Sequence, residues 1–108
     1  MFSGSLGGLK QLSEGSQSEG WEAKRDNVVQ ILESIANDTN TPRNIRRVAK
    51  AASDALFDEK YPPAIRAANA IEMIEEIIND PNMPVFTRTQ FWMAISILEV
   101  IRSMGKDT

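Results

Sequence analysis

From Trp21 onward, apolar side chains recur at three- and four-residue intervals, the period of an α-helix with one face in a core. In the first such stretch Trp21, Val28, Ile31, Leu32 and Ile35 share one face, while Glu22, Asp26, Gln30 and Glu33 lie opposite. This pattern predicts a helix over 21–37, and the same reading predicts helices over 42–57, 62–79 and 84–104, the last stopping before Gly105. The three breaks are short, as between antiparallel neighbours. The expected fold is all-α, a four-helix up-and-down bundle over 21–108.

Residues 1–20 read differently. Five of the six glycines and five serines fall there, a composition that gains too little from burial to order itself, so a disordered tail is expected. Phe2, Leu6, Leu9 and Leu12 come near helical spacing and would suit folding against a partner, but Gly4, Gly7 and Gly8 weigh against a helix.

The breaks between helices resemble one another. Asp38, Pro42 and Arg46 have the spacing of Asp58, Pro62 and Arg66, and again of Asp80, Pro84 and Arg88. Each residue type has a reason to recur. Aspartate bonds back to the backbone where a helix stops, and proline suits the first turn of the next helix. An arginine one turn further in can reach the preceding aspartate or the carbonyls that end the previous helix. A longer relation joins the first and third copies: shifting 27–56 by forty-two positions gives ten identities in thirty. The chain thus reads as a duplicated helical hairpin. A period near forty-two also suits two HEAT-like repeats, an alternative arrangement of the same helices.

Composition narrows the chemistry. The chain has 108 residues, enough for one domain, with no histidine and no cysteine. Thiolate nucleophiles, imidazole bases, disulfides and zinc sites with nitrogen or sulfur ligands are therefore excluded. No glycine-rich phosphate loop is present, and carboxylate pairs such as Glu72 with Glu75 or Glu76 fall on a charged face. The expectation is a protein without catalytic activity, cofactor or metal. A net charge of −3 argues against a broad polyanion-binding surface. No apolar run is long enough for a membrane span, and the N-terminus lacks the pattern of a secretory signal, so a cytoplasmic location is expected.

Two surfaces stand out. The second helix opens with Arg43, Arg46, Arg47 and Lys50 and has no acid before Asp54, a placement that opposes the positive end of the helix dipole. This basic patch is a candidate site for phosphate, hence for RNA, and ion pairs with Glu72, Glu75, Glu76 and Asp80 are the plainer account of it. The fourth helix is apolar around more than half its circumference, as in a central or interface helix. Trp92 lies in its polar strip one turn beyond Arg88, so Trp92, Phe91 and Arg88 form a candidate interaction site, with an Arg88–Trp92 stack as the alternative.

Three runs, VVQILESIANDTNTPRNIRRVAKAA (28–52), PAIRAANAIEMIEEIINDPNMP (63–84) and RTQFWMAISILEVIR (88–102), resemble an archaeal family of small helical proteins, uncharacterised protein family number 0147. The resemblance spans about 21–104 and implies an archaeal protein with a compact four-helix fold, without implying a catalytic residue. The functional expectation is a non-enzymatic helical interaction module or scaffold that binds a protein partner, or a second copy through the fourth helix. The alternative is an RNA- or ribonucleoprotein-associated factor that uses the basic patch.

Overall fold

The structure, a computed structural model, describes residues 20–105. The segment read as a disordered tail lies outside the described residues, apart from Gly20, which is helical. Four helices make up the described chain and no strand is found in it. They are α1 (20–36), α2 (Arg43–Ala55), α3 (Pro63–Glu75) and α4 (Val85–Met104).

Helices α2 to α4 each begin one residue later than the proline pattern predicts. Pro42, Pro62 and Pro84 take extended ψ angles of 148°, 162° and 147°, which makes them caps rather than first-turn residues. Each lends its carbonyl to the new helix, accepting from the N–H of Arg46, Arg66 and Arg88 respectively, every time at 3.0 Å. Only Pro63, in the first turn of α3, occupies the predicted kind of position. α2 and α3 also stop earlier than predicted, because the chain tightens into three-residue bonds: Leu56 N–H donates to Ser53 O and Ile77 N–H to Ile74 O.

The forty-two-residue duplication extends to the core. Val28 and Ala70, Leu32 and Ile74, Ile35 and Ile77, Thr41 and Met83, Ile45 and Thr87, Ala49 and Phe91, Ala52 and Ala94, and Leu56 and Leu98 are matched pairs. All sixteen residues are buried. The α1–α2 hairpin and the α3–α4 hairpin therefore turn corresponding faces inward, and their shared apolar core drives the packing of the two halves.

α3 packs against both α2 and α4. The start of α1 meets the end of α4, where Gly20 lies beside the Met104 side chain and Trp21 shares a cleft with Ile101, Met104 and Gly105. First and last helices thus touch and close the ring, as in an up-and-down bundle.

Candidate interaction surfaces

The three corners are built alike and orient everything near them. The carboxylates of Asp38, Asp58 and Asp80 accept from the N–H two residues on, of Asn40, Lys60 and Asn82, at 3.0, 3.1 and 2.8 Å. The aspartate carbonyls accept from Thr41, Tyr61 and Met83 one residue later, which completes a turn. The arginine then secures the corner through backbone carbonyls. Arg46 Nε donates to Thr41 O at 2.9 Å, and Arg66 Nε donates to Tyr61 O at 2.6 Å. Arg88 makes two such bonds, Nε to Ile78 O and Nη2 to Asp80 O, both 2.9 Å. Arg66, through Leu56 O, and Arg88, through Ile78 O, thus reach the carbonyl end of the preceding helix, whose partial negative charge they complement, whereas Arg46 bonds within the loop.

This geometry sorts the residues singled out on α4. Arg88 is committed to its corner, and Phe91 is completely buried in the core, where no partner reaches it. Of that trio, Trp92 alone is exposed, at 50%. It is not isolated: Val85 (75%), Phe86 (71%), Met93 (53%) and Val100 (45%) are also exposed large apolar residues of α4. With Thr89, Ser96 and Ser103 they occupy one arc of about 120° at 3.6 residues per turn. The arc contains no charged residue, and Arg88, Glu99 and Arg102 lie to one side of it.

Its counterpart on α2 has a different chemistry. At the forty-two-residue offset, Val85 corresponds to Arg43, Phe86 to Asn44, Thr89 to Arg47, Trp92 to Lys50 and Ser96 to Asp54. Both members of each pair are exposed. The two helices therefore share a buried face but not an outer one: α2 is charged and solvated, whereas α4 is apolar and uncharged.

The basic patch of α2 divides. Arg46 belongs to its corner, and Lys50 pairs with Asp54 at 3.4 Å on the same helix. Asn44 Nδ2 donates to Asp80 Oδ2 at 3.1 Å, which ties the start of α2 to the α3–α4 corner. Arg43 and Arg47 remain exposed, with no ion pair among the described residues.

A family model described as an uncharacterised protein family, UPF0147, matches residues 12–101. The chain belongs to this family. The match begins inside the segment read as a tail, so the family's extent reaches further toward the N-terminus than the motifs indicated. A UPF0147 protein of the archaeon Desulfurococcus amylolyticus is 50% identical over 80 residues, 74% of this chain and 88% of its own. One from Aeropyrum pernix is 51% identical over 81 residues, 75% and 89% of the two chains. A crystal structure of a UPF0147 member from Thermoplasma acidophilum superposes with a TM-score of 0.70 at 31% identity, covering 74% of this chain and 94% of that one.

Other features of this UPF0147 chain required the fold to reveal them. Arg25 on α1 lies over the rings of Trp21 and Phe57, with its guanidinium carbon 5.1 and 4.7 Å from their centroids. Arg66 lies 5.4 Å from the Trp21 ring on its way to the corner carbonyls. This stack joins α1, the α2–α3 corner and α3. Between α2 and α3 an open groove of about 540 Å³ is lined by Asp54, Asp58, Glu72, Tyr61, Asn69 and Met73. Among the described residues, no group of three acids is arranged to hold a metal ion. Nor is any helix long and apolar enough to cross a membrane.

Proposed function

We propose that the domain is a non-catalytic interaction module that docks a protein partner through the exposed face of α4. The observation that carries this reading is the divergence of two corresponding helices. α2 and α4 bury matching positions, yet where α2 shows water Arg43, Arg47, Lys50 and Asp54, α4 shows it Val85, Thr89, Trp92 and Ser96. Solvation alone favours the α2 pattern, and exposed apolar area concentrated on one side of a helix, here five of the eight exposed large apolar side chains among the described residues, is characteristic of contact surfaces. Trp92 and Phe86 are the side chains with most to gain from a partner.

The test compares captures by the full chain and by its Trp92→Glu/Met93→Glu variant, at matched helical content by circular dichroism. Loss of specific partners by the variant, with the fold intact, supports docking through α4. Identical captures would overturn it.

Arg43 and Arg47 support a second reading, contact with RNA phosphates beside the positive end of α2. Two such contacts would give a modest salt dependence, each contributing roughly 0.7–0.9 to the slope of log K against log salt. Arg43→Ala/Arg47→Ala would abolish that binding and spare partners held by α4.

A further inference from the structure

We infer that the partner seated on α4 is a second copy of this chain, with the two α4 helices antiparallel about a two-fold axis passing near Met93. The inference rests on the reading of α4 as a docking face and names its occupant. Three observations point to a self-complementary pairing.

The face is uncharged along its length, so a second copy approaches without like charges meeting. The residues are also disposed symmetrically. When two helices pair antiparallel about a dyad perpendicular to their axes, the same edge of each meets the other, and residue numbers on facing positions have a nearly constant sum. On one edge Phe86 falls opposite Val100 of the second copy. On the other, Arg88 falls opposite Glu99, so the flanking charges meet as opposite signs, twice. Along the centre Thr89 falls opposite Ser96, two small side chains that let the helices approach, while Met93, midway between Phe86 and Val100 on their edge, meets its own copy at the dyad. Arg88 Nη1 carries neither of the corner bonds. Glu99 lies half-exposed at this edge, beside Arg102 of the same helix.

The area is adequate for a reversible dimer. Five half-exposed large apolar side chains on each copy place the surface removed at roughly 1,000 Å² in total, near the lower bound for a specific interface. The expected complex is therefore a dimer with a dissociation constant in the micromolar range.

Because the chain has no cysteine, single cysteines report the geometry without background. Sedimentation of the full chain should show a concentration-dependent monomer–dimer equilibrium. Met93→Cys should give a disulfide-linked dimer under mild oxidation, at least ten times faster than Ala51→Cys, the corresponding position on α2. Trp92→Glu/Met93→Glu should sediment as a monomer with unchanged circular dichroism. A wild-type chain that stays monomeric up to about 1 mM, or equal cross-linking at 51 and 93, would overturn the inference. If that monomer still loses captured partners on Trp92→Glu/Met93→Glu, α4 docks a different protein, and only the choice of a second copy fails.

Discussion

Lys50 on α2 and Trp92 on α4 hold the same place in the two halves of the molecule, forty-two residues apart, both exposed and each set between corresponding buried residues, Ala49 and Ala52 in one half and Phe91 and Ala94 in the other. Where one half places a charge in water, the other places an indole. The folding requirements of the two positions are nearly equal, so the proposed docking on α4 implies that their residues can be exchanged at little cost to the fold.

Trp92→Lys, which gives α4 the residue that α2 carries, should therefore cost little. The lysine stem covers much of the surface beneath the indole, and the change in unfolding free energy should stay within about 1 kcal/mol. Chemical denaturation measures this, and partner capture by the same variant should fall sharply. A large loss of stability would mean that Trp92 serves the fold.

Arg88→Ala removes two charge-assisted bonds and leaves Ile78 O and Asp80 O seeking water in a partly buried corner. A loss of about 2–3 kcal/mol is expected. Arg88→Lys should recover only a small part of it, since an ammonium cannot span two carbonyls as the planar fork does. Arg46→Ala, with one bond to Thr41 O, should cost visibly less. Urea titrations of the three variants should rank them in that order.

Much of this corner was legible beforehand, because its parts lie within nine residues of sequence and their spacing repeats three times. The arginines were expected to reach either an aspartate or a carbonyl, and they take the carbonyls. The same repeat could have removed Arg46 from the basic patch, since Asp38, Pro42 and Arg46 already stood in the corner pattern. The outward arc of α4 was harder to read. A helix apolar around most of its circumference does not reveal by periodicity which apolar residues face inward, so the sequence alone puts Phe91 and Trp92 in one candidate site although one is buried and the other exposed. The stack of Arg25 and Arg66 on Trp21 and Phe57 was illegible for another reason: it draws on three elements, and no local pattern brings them together.

Leu32→Ala and Ile74→Ala should behave as a pair. Both residues are completely buried and correspond across the duplication, and each truncation should cost about 2–5 kcal/mol. If the halves are energetically alike, thermal unfolding of the two variants should shift to similar degrees. A gap of several kcal/mol would show that one hairpin carries most of the core's stability.

Gly105 has an ordinary helical φ of −73°, so a side chain there is opposed by a neighbour and not by the backbone. A methyl group on it would overlap the Ala64 side chain, which is too short to turn aside. Gly105→Ala should cost about 1 kcal/mol or more. Adding Ala64→Gly should relieve the overlap, and a double-mutant cycle measured by denaturation would report the coupling.

Where Gly20 lies against Met104, the beginning and the end of the bundle are neighbours. Four helices in a ring, joined by three corners of one design, leave a fourth junction open, between the end of α4 and the start of α1. A short linker there, with a new opening at the exposed Glu59–Lys60 turn, would exchange the order of the two hairpins while keeping every buried pair. The sequence order of the halves is thus a property of the gene, whereas the architecture requires only that the two hairpins meet.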